Sequence, residues 1–223
     1  MPNPSVQLLV WDEVGEHKYE MGTDRGVLWV YDQSSKTYGG PQVWNGLTGV
    51  DENPDGGDVS DVWADNILYA GIRGAEKDAG TIKAYTYPDD FMKCDGSASI
   101  STGIYVGQQE RVAFAFSYRT MIGNELDSDL GYKIHIHYGC TCSPSSKDWA
   151  TINNNPDPVE MSWDYTATPV PININNLKPS AHLIIDSTKV SSATLQAIEN
   201  RLYDATSTTV PMPEDILNLV VAG

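Results

Sequence analysis

Short runs of β-branched and aromatic residues recur along the chain, each bounded by glycine, proline, asparagine or aspartate. Branched and aromatic side chains favour extended backbone, and the bounding residues favour turns. The pattern therefore predicts a mainly β protein. The predicted strands are GVLWVY (26–31), NILYAGI (66–72), TIKAYTY (81–87), RVAFAFSYRT (111–120), GYKIHIHYG (131–139), VEMSWDYTATPVPI (159–172) and SAHLIID (180–186).

The segment KIHIHY shows the alternation of a single strand. Successive side chains of a strand point to opposite faces, so Ile134 and Ile136 share one face while Lys133, His135 and His137 share the other. We expect a half-buried strand whose polar face is solvated.

Helical periodicity is clearest near the C-terminus. Leu195, Ile198 and Leu202 recur at helical spacing, after Ser191 or Ser192, either of which can cap the first turn. The apolar stripe is narrow, so this helix is expected to lie on a sheet.

No internal repeat, low-complexity linker or shift in composition divides the 223 residues. A chain of this size can share one core, so we expect 1–223 to form a single domain with extended loops. The final segment, PMPEDILNLVVAG (211–223), is expected to add a last strand or an arm onto a neighbouring copy. Many strands leave many edges, and an exposed edge can pair with another chain.

The chain is strongly acidic, because 30 Asp and Glu against 14 Lys and Arg give a formal net charge of −16. Proteins that grip nucleic acid replace its counterions with Lys and Arg. The charge therefore argues against DNA binding and against a membrane-surface role. No apolar run approaches the about 20 residues of a membrane span, and the N-terminal sequence lacks the features of a signal peptide, so we expect none.

The segment HIHYGCTC places His135, His137, Cys140 and Cys142 close together, and all four are residue types that bind zinc. Structural zinc sites usually combine two ligand pairs, such as C-x2-4-C and H-x3-5-H, that a longer segment of chain separates. In this chain the two pairs are spaced H-x-H and C-x-C and lie close together. We therefore expect no metal and no cofactor. The odd number of cysteines, which includes Cys94, indicates reduced thiols rather than a disulfide framework.

The segment DENPDGGD (51–58) begins like a calcium loop, with Asp51, Asn53 and Asp55 at the first, third and fifth positions. An EF-hand also needs flanking helices and a carboxylate at the twelfth position, which is Val62 in this chain. We interpret the segment as a turn-rich surface loop, including Asp58.

No catalytic motif is present: the chain lacks the G-x-S-x-G elbow and the phosphate-binding glycine motifs, so we expect no enzyme. A metal-dependent hydrolase that uses His135 and Cys140 is a third hypothesis. Another hypothesis is a carbohydrate-binding β-sandwich module of a virion or extracellular protein. Six tryptophans and twelve tyrosines could supply the flat aromatic surfaces on which sugar rings bind. Trp29, Trp63 and Trp163 lie in or beside predicted strands, where packing in the core or between subunits is the expected role.

Nine segments, which together span most of the chain, carry a resemblance to a known family. They are 24–30, 43–58, 64–72, 81–97, 104–125, 130–153, 162–170, 185–189 and 195–203. In this order they resemble the major tail proteins, or tail tube proteins, of long-tailed bacteriophages with non-contractile tails. The chain departs from the family pattern at Glu125, where Asp is expected, in the compressed GPQ before Val43, and in the loosely similar C-terminal segment.

The resemblance implies a β-sandwich or split barrel with one flanking helix, which assembles into hexameric rings that stack into a tail tube. Strands of six subunits would form a continuous barrel around the channel through which the genome leaves the virion. The implied partners are further copies of the chain, tape-measure and tail-terminator proteins, and passing DNA that is not bound specifically. Such a protein is made in the host cytoplasm and resides in the phage tail, and an acidic channel would not retain DNA.

The resemblance also implies that the region around 51–58 contacts neighbouring subunits or the next ring. Gly56 and Gly57 would allow the backbone a sharp path there. The candidate contact residues are Trp44, Asn45, Leu47, Asp51, Asn53, Asp55, Gly56, Gly57 and Asp58.

Overall fold

The computed structural model describes residues 8–152, 157–173 and 177–222. Fifteen strands and three helices lie in these ranges. The strands are β1 (Tyr19–Asp32), β2 (Thr37–Tyr38), β3 (Gln42–Trp44), β4 (Leu47–Glu52), β5 (Asp55–Gly56), β6 (Val59–Ala64), β7 (Ile67–Arg73), β8 (Glu76–Lys77), β9 (Ala79–Ala84), β10 (Ala98–Ser101), β11 (Ile104–Val106), β12 (Phe114–Gly123), β13 (Gly131–Cys142), β14 (Met161–Ala167) and β15 (His182–Asp186). The helices are α1 (Phe91–Cys94), α2 (Ser192–Leu202) and α3 (Pro213–Ala222).

One antiparallel sheet dominates the fold, with the strand order β2-β1-β12-β13-β14-β9-β4. In addition, β3 pairs with β1 near one end of this order, while β4 lies at the other end. Only Asn45 and Gly46 separate β3 from β4, so the chain joins the two ends of the sheet. The sheet therefore curves around an interior, as in a sandwich or split barrel, and the mainly β prediction is confirmed. Each predicted strand overlaps an observed one.

The long strand β13 changes partner along its length. Its first half pairs with β15, from Lys133 opposite Asp186 to His137 opposite His182, and its last three residues pair with β14. Gly139 lies between the two halves with a φ of 61°, and a Cβ atom at this position would lie 2.6 Å from a backbone oxygen. Glycine therefore allows the irregularity at which β13 passes from one partner to the other.

The inner core, on the concave side of the sheet, is largely aromatic. The ring centroid of Phe91, from α1, lies 4.5 Å from that of Trp44, 5.5 Å from that of Phe114 and 5.2 Å from that of Trp163. All four side chains are buried. The short helix α1 is thus held by the side chain that it contributes to the interior.

A second core lies on the opposite face of β1, β12, β13 and β15, beneath α2 and α3. Ile134 and Ile136 of β13 belong to the same buried cluster as Ile198 of α2 and Ile216 of α3. The predicted helix is confirmed, and the Ser191 hydroxyl caps it by accepting a hydrogen bond from the backbone N–H of Thr194.

The predicted final strand at 211–223 is wrong, because Pro213–Ala222 form α3. The alternative, a contact of this segment with a neighbouring copy, stays a prediction. Pro213 opens the helix and two acidic residues occupy its first turn, which are favourable residues at a helix N-terminus. The Tyr138 hydroxyl donates to the backbone oxygen of Pro211, 2.9 Å away, and so ties the start of the segment to β13. Two helices therefore flank the sheet instead of the single one expected. No described helix has the length and apolar character needed to cross a membrane.

The prediction of a half-buried β13 with a solvated polar face is also wrong. His135 is 7% exposed and His137 is fully buried. Tyr118 and Phe116 of β12 stack on these two imidazoles, and Tyr165 of β14 closes over His137. Curvature of the sheet places the polar face of β13 inside the protein.

Candidate subunit-contact surface

Residues 53–78 form a long β-hairpin between β4 and β9, which we call the arm. Within it β5 pairs with β8, and β6 pairs with β7. Asp65 and Asn66 form the turn with φ values of 51° and 61°, as in the two-residue turns that match the twist of a hairpin. Each side of the arm has a contour length of about 40 Å at the usual rise of a strand.

The predicted surface loop at 51–58, at the root of the arm, is formed only in part. The strand β4 continues through Glu52, and β5 comprises Asp55 and Gly56, so half of this segment is extended and paired. Gly56 has a φ of 82°, and a Cβ atom there would lie 2.5 Å from the backbone oxygen of Ala75 on the opposite side. Glycine is therefore required at this position, where the backbone of the opposite side leaves no room for a Cβ atom.

The arm exposes an unusual amount of apolar surface. The side chains of Val62, Ile67 and Ile72 are 38%, 61% and 60% exposed. The register of β6 and β7 assigns them to the same face, because residues paired across a hairpin share a face. This face is formed by the pairs Ser60 with Ile72, Val62 with Ala70, and Ala64 with Ile67.

The opposite face of the arm carries Val59, Trp63 and Leu68, each of which is more than half exposed. A hairpin of two strands is marginally stable in water without a third strand or a packing surface. Exposed apolar patches of this kind mark protein interaction sites. Burial of the arm against another protein would supply the packing that it lacks within one chain.

Open strand edges accompany the arm. Over the described ranges, β6 and β7 pair only with each other, and β15 pairs only with β13. Each of these strands therefore offers one edge with backbone groups that another chain can complete. On β15 the side chain of Ile184 is 51% exposed.

The contact residues predicted from the sequence divide into a group in or against the inner core and a group exposed at the surface. Trp44 is 3% exposed, and its indole N–H donates to the backbone oxygen of Thr86, 2.9 Å away. Leu47 packs against the inner core. Trp44 is therefore a core residue and its selection as a contact residue is wrong. The exposed candidates, along β4 and the arm root, are Asn45, Asp51, Asn53, Asp55, Gly56 and Asp58, with Gly57 partly exposed.

The three cysteines are free thiols in the inner core, in agreement with the sequence. Burial raises the pKa of all three thiols, that of Cys142 to about 12. Within the described part of the chain, neither cluster of three potential metal ligands contains a cysteine. The predicted grouping of Cys140 with His135 is therefore not formed.

The tryptophans that the sequence placed in or beside predicted strands divide into buried and exposed residues. Trp29 and Trp163 are completely buried, as expected for core residues, whereas Trp63 is 66% exposed on the arm. The apolar residues of the arm were not recognised from the sequence as contact candidates, because a run such as NILYAGI resembles a buried strand. The turn Asp65–Asn66 between two apolar runs was the available signal for a hairpin.

The sequence matches no protein-family model, and no curated protein matches it. The arm, the open edges and the charge are therefore the features from which we infer a function.

Proposed function

We propose that the chain is the tail tube subunit of a long-tailed bacteriophage with a non-contractile tail. Its copies would form hexameric rings that stack into a tube around a channel for DNA. The observation that carries this proposal is the arm, whose large apolar side chains are exposed on both faces. These side chains are Val59, Val62, Trp63, Ile67, Leu68, Tyr69 and Ile72.

A second copy of the chain is the partner that best fits the arm. The same molecule has an arm with exposed apolar side chains, which another surface could bury, and a strand β15 with an unpaired edge, which another strand could complete. In a ring, each copy can supply the arm to one neighbour and receive the arm of the other. Such head-to-tail contacts close into rings when the rotation between copies is right, and closure also removes exposed edges.

The charge suits a channel for DNA. Each copy contributes a formal charge of −16, so a ring of six would be a strongly acidic wall. Phosphates are repelled by such a surface, and DNA could pass without being retained. By this proposal the protein resides in the virion after synthesis in the host cytoplasm. Its other partners would be the tape-measure and tail-terminator proteins.

The test is assembly of the purified chain. We expect concentrated protein to form hollow tubes in negative-stain electron microscopy, directly or after seeding with preformed tube. The double variant Ile67→Asp/Ile72→Asp places two charges on the apolar face of the arm and is expected to remain dispersed. Ile100→Asp is the matched control, because Ile100 is an exposed isoleucine of the other two-stranded hairpin, β10–β11. This control is expected to assemble.

A wild-type chain that stays monomeric at all concentrations and after seeding would overturn the proposal. Normal tubes from the arm variant would also contradict the role of the arm. The carbohydrate-binding alternative predicts quenching of tryptophan fluorescence by glycans without assembly. The exposed indoles available for such binding are those of Trp11, Trp63 and Trp149.

A further inference from the structure

Three side chains from separate strands converge beneath the root of the arm. They are Glu52 at the end of β4, His135 in β13 and His182 in β15. Nδ1 of His135 lies 3.1 Å from Nε2 of His182 and 3.2 Å from Oε1 of Glu52. Nε2 of His182 lies 3.8 Å from the same carboxylate oxygen.

We propose that Glu52, His135 and His182 form a binding site for a divalent transition-metal ion of the zinc class. Imidazole nitrogen and carboxylate oxygen are donors that zinc prefers, and two histidines with one glutamate form a known zinc ligand set. Ligands about 2.0 to 2.1 Å from a tetrahedral ion are about 3.3 Å from one another. The three observed separations lie near that value, so an ion fits with small movements of the side chains.

The partners behind the ligands favour metal binding by the atoms that face the site. Nε2 of His135 lies 3.2 Å from the hydroxyl oxygen of Thr120, which lies 3.4 Å from Oε2 of Glu20. With Nε2–H donating to Thr120, the lone pair of His135 is on Nδ1, the atom that faces Glu52. Metal-binding histidines usually have their second nitrogen held in this way.

Aromatic neighbours hold the ligands in place. The ring of Tyr118 stacks on His135 with centroids 4.8 Å apart and planes within 1° of parallel. The hydroxyl of Tyr118 donates to Oε1 of Glu52, the oxygen that faces both histidines. The site therefore needs little reorganisation to receive an ion.

A third histidine adds an independent indication. His137 is completely buried, and its Nδ1 lies 2.7 Å from Oδ2 of Asp78, to which Nδ1–H donates. Its Nε2 is buried without a hydrogen-bond partner and lies 4.0 Å from the carboxylate of Glu52. A buried nitrogen lone pair beside a carboxylate is unfavourable unless a positive charge lies nearby. An ion between Glu52 and the histidines would provide that charge.

An ion can reach the site through a cleft of about 860 Å³, which is lined by Glu52, Asp78 and His182 and by 73–76 of the arm. Because Glu52 immediately precedes the arm while both histidines belong to the main sheet, a bound ion would fasten the root of the arm to the sheet. We therefore expect the ion to stabilise the fold at this point and assign it no catalytic role.

The test uses the dispersed, unassembled protein after removal of metals with a chelator. Titration with Zn²⁺ by calorimetry is expected to show one ion per chain. Co²⁺ is expected to give the visible bands of a low-coordinate site with nitrogen and oxygen ligands, without a thiolate charge-transfer band. Glu52→Gln and His182→Asn should each weaken Zn²⁺ binding at least about 100-fold, and Thr120→Val about 10-fold.

The matched control is His17→Asn, because His17 is exposed and lies outside the cluster; its affinity should equal that of the wild type. Glu52→Gln keeps the size of the side chain, so it decides the question should His182→Asn fail to fold. Binding that is absent, or that survives Glu52→Gln in a folded chain, or that is lost equally in His17→Asn, would overturn the proposal. Because the measurement uses unassembled protein, its result is independent of tube formation.

Discussion

The guanidinium of Arg119 donates two parallel hydrogen bonds to the carboxylate of Asp24, with Nε–Oδ1 and Nη2–Oδ2 distances of 2.8 and 2.7 Å. The two residues are opposite each other in β12 and β1, where the register of β1 shifts on either side of Asp24. The guanidinium also lies over the ring of Tyr132, 4.4 Å from its centroid. This pair therefore joins the two strands where their backbone pairing is least regular.

Arg119→Lys is expected to lower the free energy of unfolding by about 1 kcal/mol, because lysine cannot form the paired hydrogen bonds or the flat contact with Tyr132. Urea denaturation measures the change. Lys18→Met is the control, since Lys18 makes only an exposed ion pair with Glu16, and such pairs contribute about 0 to 1 kcal/mol. Equal effects of the two substitutions would contradict the importance of the pair.

The aromatic inner core predicts a large effect at Phe91. Phe91→Ala removes a fully buried ring that contacts Trp44, Phe114 and Trp163, and is expected to reduce the free energy of unfolding by about 3 to 5 kcal/mol. Trp149→Ala removes a ring that is 76% exposed and should change stability by less than about 0.5 kcal/mol. Chemical denaturation of both variants checks the difference.

The cap of α2 predicts a graded series at Ser191. Ser191→Ala removes the acceptor for the N–H of Thr194 and is expected to reduce the free energy of unfolding by about 1 kcal/mol. Ser191→Asp restores an acceptor and places a negative charge at the helix N-terminus, so stability should return to about the wild-type value. Thermal unfolding followed by circular dichroism measures the series. Identical melting temperatures for all three proteins would show that the cap is unimportant.

The buried cysteines predict thiols that do not react in the folded protein. A free cysteine has a pKa of about 8.5 and is partly ionised at pH 8, whereas burial raises the pKa of Cys94, Cys140 and Cys142. Because a raised pKa leaves the thiol protonated, the reactive thiolate is scarce until the pH exceeds that value. A disulfide reagent at pH 8 should react with no thiol of the native chain and with all three after denaturation. Rapid reaction of any native thiol would be inconsistent with this core.

The arm predicts a change in protease sensitivity upon assembly. Arg73 and Lys77 are exposed near its root, and a two-stranded hairpin opens readily in water. Trypsin should therefore cleave the dispersed chain after these residues and should cleave tubes far more slowly, as mass spectrometry of the fragments can show. The Ile67→Asp/Ile72→Asp variant should stay sensitive at every concentration. Equal cleavage rates in dispersed and assembled wild-type protein would show that the arm is not covered.

The local elements followed from the sequence. Strands in β13 and β7 were recognisable from branched and aromatic residues, and α2 from its helical spacing, because these signals act within a few residues. The final helix α3 was missed, since an apolar run such as ILNLVV suits either a helix or a strand. Its start carried a usable signal, because Pro213 followed by Glu214 and Asp215 is typical of a helix N-terminus.

The candidate metal site could be predicted only in part. The alternation of β13 correctly assigned His135 and His137 to one face, because side-chain direction in a strand is local. Their partners Glu52 and His182 lie on distant strands, and no spacing in the sequence relates them. With regular alternation, the side chains of Cys140 and His137 would lie on opposite faces of β13. The irregularity at Gly139 changes this, and Cys140 lies in the inner core.

The sequence by itself determined that the seven predicted strand segments are extended, which segment forms α2 and how side chains alternate in β13 as far as His137, because these depend on the backbone and on near neighbours. Only the tertiary structure decided which face of β13 is enclosed and which apolar strands, those of the arm, remain exposed. The reason is that burial depends on how the sheet curves and on which strands, distant in sequence, it brings together. Two runs of equal hydrophobicity can therefore differ, one being buried in the core and the other exposed at the surface.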